Sequence, residues 1–260
     1  MKIMNLENYS YQYHASSETE HIINWITKSF AYNEKALVEL ADNDYSPITA
    51  NLCVKAIGKE NVVGVIFTKA DDKISDRLQQ IVKELDLKEV LYFSIDNTLK
   101  DFAPYLQVED YQTNKELTNE HIIKFKAMTL SSLKSRYGKS VSGYTLSDIV
   151  TNSTIAEQII NYDICPVADF TNTEVLAIAK NLKLSSMFLK EQRNLEFNYT
   201  NLDIIIREGS CNNKDEEEKI WNLIHNNQIH KYNNINNCKS FLPNCIFQGD
   251  CNGYTKFNYC

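Results

Sequence analysis

Residues 36–58 of the chain read ALVELADNDYSPITANLCVKAIG, and this stretch decides the fold. Its first five residues are mostly apolar, a short polar loop follows, and the remainder has the apolar spacing of a helix. A buried strand, a loop and a helix in this order commonly place backbone N–H groups around a phosphate. The stretch therefore predicts the first strand, phosphate loop and helix of a nucleotide-binding α/β domain.

The loop at residues 41–46 has an unusual composition for a phosphate-binding loop. It contains no glycine, and its polar members are Asp42, Asn43, Asp44 and Ser46. Glycine allows the backbone to approach a phosphate closely, and carboxylates disfavour a second negative charge nearby. Acidic loop residues can bind a metal ion, but Asp and Asn are also ordinary turn and helix-cap residues. The sequence leaves both alternatives open and predicts the scaffold of a nucleotide enzyme with an altered loop.

The segments on either side of this stretch alternate between helix and strand patterns. Residues 61–68 (NVVGVIFT) and 89–95 (EVLYFSI) are short apolar runs, typical of parallel strands buried on both faces. Residues 74–85 between them, and residues 18–32 before the first strand, have the spacing of amphipathic helices. This order predicts right-handed crossovers and an α/β fold with a doubly wound, Rossmann-like parallel sheet flanked by helices.

The second half of the chain continues the α/β pattern before it becomes aperiodic. It predicts a helix, a weak fourth strand and two more helices, at residues 120–137, 139–143, 171–182 and 215–227 respectively. Thr171 followed by Glu174 has the capping-box spacing at a helix start. We interpret residues 1–231 as a single α/β domain and residues 232–260, rich in Cys and Asn, as an irregular tail.

Charge and hydropathy exclude some classes of function. The 260-residue chain has a net charge of −7 and a pI near 5.3, whereas binding to a nucleic-acid backbone requires clustered Lys and Arg. No apolar run approaches the roughly 20 residues of a membrane span, and the first residues do not resemble a signal peptide. We therefore expect a cytoplasmic protein with neither a nucleic-acid nor a membrane partner.

The seven cysteines are concentrated near the end of the chain, where five of them lie: Cys211, Cys238, Cys245, Cys251 and Cys260. Structural zinc sites usually contain at least one close C-x2-4-C pair, and the last four cysteines have no such pair. In a protein without a signal peptide, disulfides are not expected to persist. The sequence thus favours reduced cysteines over a disulfide framework or a zinc site.

The chain resembles the ammonia-dependent NAD synthetases, a family of the adenine nucleotide alpha-hydrolase (ATP pyrophosphatase) superfamily, over residues 36–66 and 139–182. The similar segments are LCVKAIGKENVVGVI at 52–66, DICPVADFTNTEVLAIAKNL at 163–182 and EEEKIWNLIHNNQIHK at 216–231. The resemblance implies an adenine nucleotide alpha-hydrolase-like fold and a homodimer. It also implies ATP-dependent amidation of deamido-NAD to NAD, with magnesium and ATP as cofactors.

The resemblance further implies that most ATP-side residues of the family are altered. The family cradle S-G-G-x-D-S falls on residues 41–46, where only Ser46 matches and Tyr45 replaces the magnesium-binding aspartate. Asp44 could take the place of that aspartate only if the loop shifts by one residue. The flexible lid that precedes a Y-x-x-[IL]-D-like helix is missing before Tyr199. Three other family positions fall on different residue types: the magnesium-binding glutamate on Asp148, an ATP-contacting threonine on Gly143 and an ATP-contacting lysine on Asn172. Asp148 could bind magnesium or cap the helix after the fourth strand.

The dinucleotide side of the family site is better retained. Asp163 matches a family aspartate that contacts deamido-NAD, and His230-Lys231 matches a His-Lys pair with the same role. Lys124 or Lys126 approximately replaces the family arginine. Asp163 could also serve only to hydrogen-bond a turn.

Three functional hypotheses follow from this pattern, and they differ in whether the protein is an enzyme. The first is an NAD synthetase-like, catalytically impaired paralogue that retains a nucleotide- or dinucleotide-derived pocket. The second is a divergent ATP-dependent amide-forming ligase that acts on another carboxylate. The third is a non-catalytic dimer partner of an intact synthetase.

Overall fold

The structure is a computed structural model, and it describes residues 15–42, 45–68, 74–95, 115–189, 198–226 and 239–240. The backbone alone is described for residues 115–120, 160 and 239–240. The loop residues Asn43 and Asp44, the pair His230-Lys231 and most of the predicted tail lie outside the described residues.

The described residues form one parallel sheet. Its strands are β1 (Lys35–Glu39), β2 (Val62–Thr68), β3 (Glu89–Ser94), β4 (Gly138–Val141), β5 (Ile164–Cys165) and β6 (Lys239–Ser240). They are ordered β3-β2-β1-β4-β5-β6, and every neighbouring pair is parallel. This order is that of a doubly wound sheet, so the predicted fold class is confirmed.

Helices connect and cover the strands. They are α1 (Ala15–Ser29), α2 (Ser46–Ile57), α3 (Asp76–Leu85), α4 (Lys115–Tyr137), α5 (Leu146–Thr151), α6 (Ser153–Gln158), α7 (Asn172–Asn181), α8 (Tyr199–Glu208) and α9 (Lys214–Asn226). Short 3₁₀ turns precede β2 and β5, at Lys59–Asn61 and Ile159–Asn161. None of the helices within the described ranges is both long and apolar enough to cross a membrane.

The sheet carries an apolar layer on each face because successive side chains of a strand point to opposite sides. In β1, Val38 packs with α1, α2, α3 and α7, whereas Leu37 packs on the other face with α4 and α6. The helices α8 and α9 share a separate apolar cluster with α5. The strand pattern of the sequence thus corresponds to a central sheet between two helical layers, with an additional helical pair at one side.

Three local features bear directly on sequence predictions. The capping box at the start of α7 is confirmed, because the Glu174 carboxylate accepts from the Thr171 N–H at 2.7 Å and the Thr171 hydroxyl accepts from the Glu174 N–H. The expectation of reduced cysteines is wrong for Cys165, which is disulfide-bonded, whereas Cys53 and Cys211 are free. The short strand β6 lies within the tail that was predicted to be irregular.

Candidate functional site

The strand order locates the candidate site. The sheet grows in one direction from β1 to β3 and in the other from β4 to β6, so the order reverses between β1 and β4. In open α/β sheets, ligands bind outside the carboxyl ends of the strands at this reversal. The segments that leave these two strands are the predicted phosphate loop after β1 and the turn after β4.

The first turn of α2 offers few backbone donors for a phosphate. Tyr45 occupies the N-cap position without a side-chain cap. Pro47 has no N–H, and the N–H groups of Ile48 and Thr49 donate to the Tyr45 carbonyl at 3.0 and 3.2 Å. Anion binding at a helix start requires N–H groups that point outward. The start of α2 therefore lacks much of the cradle that its place in the fold would provide.

The turn after β4 lies directly against the start of α2. A Cβ atom added to Gly143 would lie 2.5 Å from Ser46 Cα and 2.6 Å from Ser46 Cβ, closer than real Cβ contacts allow. The Ser46 hydroxyl accepts a hydrogen bond from the Ala41 N–H at 3.1 Å, which closes the loop on itself. Position 143, on which the ATP-contacting threonine of the family falls, consequently has no space for a side chain.

Asp42 is engaged by a cation of the protein. Arg77, in the first turn of α3, donates from Nη1 to the Asp42 carbonyl at 2.9 Å and contacts its carboxylate at 3.3 Å. Its Nε donates to the Met187 carbonyl beyond α7 at 2.7 Å. A partly exposed ion pair of this kind contributes little to stability, but it orients the Asp42 carboxylate toward α3.

Asp148 caps the helix after β4. Its carboxylate accepts from the Thr145 N–H at 3.0 Å, and its own N–H donates to the Thr145 hydroxyl at 3.2 Å, which together form a capping box. The amide oxygen of Asn172 lies 2.6 Å from the same hydroxyl. Asp148 and Asn172 are both buried. Two positions that contact magnesium or ATP in the family therefore hold together the starts of α5 and α7.

Two buried carboxylates meet the first turn of α7. Asp203 of α8 accepts from the Thr173 N–H at 2.8 Å and from the Ser147 hydroxyl at 2.6 Å. Glu174 is paired with Arg207, whose Nε donates at 2.7 Å. Negative charge at a helix start is favoured by the helix dipole. In this protein two carboxylates satisfy that positive end, where the family places a lysine for ATP.

Burial raises the pKa of Asp203 to about 6, against the lowering effect of its hydrogen bonds from Ser147 and Thr173. The side chain is completely buried, so the charged form loses its hydration. Sequence analysis did not identify Asp203, Ser147 or Arg207. The only available signal for Asp203 was its place in a segment of the form Y-x-x-L-D at residues 199–203.

A partly buried ion pair lies at the carboxyl end of β1. Lys126 Nζ contacts the Glu39 carboxylate at 2.6 Å and lies 5.5 Å from the centre of the Phe67 ring. Lys124, which was predicted to contact a dinucleotide, is exposed two residues earlier on α4. Of the two lysines considered for the family arginine, Lys126 is thus committed to Glu39.

Asp163 lies away from the predicted phosphate loop. Its carboxylate accepts from the Ser140 N–H at 2.9 Å and pairs with Lys134 at 3.0 Å. At about 1.5 Å of rise per residue, Lys134 lies roughly 12 Å along α4 from Lys126, toward the amino ends of the strands. Asp42, Ser46 and Asp148 therefore lie near the carboxyl ends of β1 and β4, where the strand order reverses. Asp163 lies farther toward the amino ends of the strands. Its role in binding a dinucleotide stays a prediction.

The described residues do not fit a magnesium–ATP site. Within these ranges, no three His, Cys, Asp or Glu side chains are grouped so that they could hold a metal ion. Asp148 caps α5, and Asn172 carries no charge. Tyr45 is a poorer magnesium ligand than the carboxylate that it replaces. The magnesium site that the resemblance implies is therefore altered in the part of the loop that the structure describes.

Comparisons with known proteins find similarity to NAD and NMN synthetases. The chain is 24% identical over 209 residues to an NH3-dependent NAD+ synthetase of Methanocaldococcus jannaschii, with 72% of this chain and 80% of that protein covered. Its structure is similar to an NMN synthetase of Francisella tularensis, with a TM-score of 0.70, 17% identity, and coverage of 85% of this chain and 97% of that one. An NH3-dependent NAD synthetase of Campylobacter jejuni gives a TM-score of 0.63 at 18% identity, with 85% and 95% covered. No protein-family model matches the chain.

Proposed function

The chain is a divergent member of the NAD synthetase family, and from this premise we propose that it binds a nucleotide or dinucleotide but no longer adenylates a carboxylate. The family reaction activates deamido-NAD with ATP and then forms an amide. Such a reaction depends on a phosphate cradle, magnesium and a cation near the developing charge. The proposal therefore depends on the start of α2 and on the residues around it.

The observation that carries the proposal is the contact between Gly143 and Ser46. In this contact, Gly143 of the turn after β4 lies against Ser46 at the start of α2, the stretch on which the family cradle falls in the resemblance. Removal of one preorganised donor from an active site typically costs about 10²–10³ in rate. In this chain three features of the family site are changed together. The cradle residues differ, Tyr45 replaces the magnesium-binding aspartate, and Asn172 replaces the ATP-contacting lysine. We accordingly expect no measurable adenylation.

Calorimetric titration of the purified protein tests this function. We expect saturable binding of deamido-NAD or NAD, no binding of ATP in the presence of MgCl2, and no amide formation when all substrates and ammonia are supplied. The Methanocaldococcus jannaschii synthetase, assayed in parallel, is the positive control. Magnesium-dependent ATP binding, or turnover of deamido-NAD at an ordinary rate, would overturn the proposal.

The exposed Lys124 offers a variant for the dinucleotide part of the proposal. Lys124→Gln should weaken deamido-NAD binding about tenfold, the effect of losing roughly 1.4 kcal/mol from one charged contact to the ligand. Lys55→Gln is the matched control, because Lys55 is also exposed but lies in the last turn of α2, at the opposite edge of the sheet. If the two variants bind deamido-NAD with equal affinity, Lys124 does not contact the ligand.

A divergent amide-forming ligase is the second candidate, with magnesium and ATP as cofactors. The similarity to an NMN synthetase favours it, because proteins of this fold include synthetases named for different products. This candidate requires pyrophosphate release that depends on a carboxylate substrate and is abolished in Asp148→Asn. Absence of release with deamido-NAD and a panel of other carboxylates would count against it. The homodimer implied by the resemblance stays a prediction, which light scattering tests.

A further inference from the structure

The helices α8 and α9 form a hairpin with its own apolar cluster. This cluster is shared with α5 and is separate from the two layers that cover the sheet. Its buried members are Leu146, Val150, Tyr199, Leu202, Ile205, Ile206, Cys211, Ile220 and Ile224. The hairpin therefore depends less on the central core than the other described helices do. Units of this kind can open locally with a free energy below that of global unfolding.

Two side chains one turn apart on α8 join the hairpin to α7. Asp203 accepts from the N–H and hydroxyl of Thr173 at 2.8 and 2.5 Å, and from the Ser147 hydroxyl at 2.6 Å. Arg207 forms a bidentate pair with Glu174 and also donates to the Asp169 carbonyl at 2.8 Å. The attachment is polar and almost completely buried.

The charged groups around Asp203 do not neutralise it. Glu174 on α7 raises its pKa further, and Asp148 on α5 and Asp169 before α7 are the other buried acidic groups of the packed elements. Glu208 of α8 and the acidic residues of α9 (Asp215, Glu216, Glu217 and Glu218) are not among the buried residues. Arg207, the buried cation of α8 itself, pairs with Glu174. In the contacts that the structure describes, Asp203 accepts only from neutral donors.

We propose that Asp203 and Arg207 form a latch from which the α8–α9 hairpin opens as one unit, and that uptake of a proton by the Asp203 carboxyl closes the latch. This inference goes beyond the proposed function and requires no ligand. In the closed state the protonated carboxyl can donate to Ser147 Oγ, which already accepts from the Asn172 N–H at 3.1 Å. When the carboxyl is ionised, the Ser147 hydroxyl donates to it instead.

The direction of the pH dependence follows from burial. The closed state holds the proton up to a pKa of about 6, whereas an opened, hydrated Asp203 has the ordinary value of 3.8. Between these pH values the closed state thus binds more protons than the open state does. The free energy of opening therefore falls as the pH rises through 6. Between pH 5 and pH 7 the opening equilibrium should rise about tenfold.

Hydrogen exchange at pH 5, 6 and 7, corrected for intrinsic rates, measures this opening. We expect amides of α8 and α9 to exchange about tenfold more through local opening at pH 7 than at pH 5, whereas those of β1 and β2 keep their protection. Exchange in the hairpin that is independent of pH, or that changes in parallel with the sheet, would overturn the proposal.

Three variants identify the responsible group. Asp203→Asn, which mimics the neutral carboxyl, should abolish the pH dependence. Asp215→Asn, an exposed residue in the first turn of α9, should leave it unchanged. Ser147→Ala removes a hydrogen bond in both protonation states, but the bond to the ionised carboxylate is the stronger of the two, so the midpoint of the pH dependence should move to higher pH. If Asp203→Asn does not fold, the Ser147→Ala shift still decides, and an unmoved midpoint would contradict the latch.

Discussion

Replacement of Arg207 by methionine should lower the free energy of unfolding by about 3–5 kcal/mol. Methionine fills much of the volume of arginine but leaves the Glu174 carboxylate buried without its cation. Glu174 is 1% exposed and Arg207 7%, so water cannot replace the lost partner. At roughly 2–4 °C per kcal/mol for a domain of this size, the Tm should fall by about 10 °C. Thermal and urea unfolding of the two proteins measure the effect.

A second substitution distinguishes a lost ion pair from lost packing. Glu174→Gln combined with Arg207→Met removes the unpaired charge, so the double variant should be more stable than Arg207→Met alone. Lys214→Met is the matched control, because the ion pair of Lys214 with Glu217 is on the surface and contributes at most about 1 kcal/mol. A loss below 1 kcal/mol for Arg207→Met would contradict a buried, energetically coupled pair.

Sequence analysis predicted the sheet because its signals are local. The run at residues 61–68 contains β2, and the run at 89–95 contains β3, with ends that differ by one residue. Apolar strands buried on both faces need no distant information to be recognised. β5 was missed as a separate strand because it has only two residues, Ile164 and Cys165, too few for a periodic pattern.

The buried polar network could not be predicted in the same way. Glu174 was identified as the partner of Thr171 in a capping box, which is correct. Its second partner, Arg207, is 33 residues away in sequence, and no local pattern indicates that pairing. Asp203 likewise meets Thr173 only because α8 packs on the start of α7. Contacts of this kind are set by the packing of helices, after the secondary structure is specified.

The candidate site shows the same division. The loss of loop glycines and the change to Asn172 were visible in the sequence. The ion pair of Asp42 with Arg77 depends on the packing of α3 against the loop. The contact of Gly143 with Ser46 depends on the packing of the turn after β4 against the same loop. The sequence therefore indicated which chemistry was altered, and the structure adds the contacts that now occupy the space.

Substitution of Gly143 by alanine should cost about 2–3 kcal/mol in the free energy of unfolding. The added Cβ would meet the backbone of Ser46 at 2.5 Å, so either the β4 turn or the start of α2 has to move. Gly64→Ala is the matched control within the same sheet, because its nearest atom is the Leu40 Cδ1 at 2.8 Å, at the end of a flexible side chain. The control should be less destabilised in urea unfolding.

Gly143→Thr, which installs the residue type of the family, extends this test to function. If the start of α2 is closed by protein atoms, the variant should be at least as unstable as Gly143→Ala and should not bind ATP with magnesium. Binding energy for a nucleotide can appear only where donors and space are already arranged. A stable Gly143→Thr protein that binds magnesium–ATP would mean that the cradle is open, and the ligase would then become the better account of this chain.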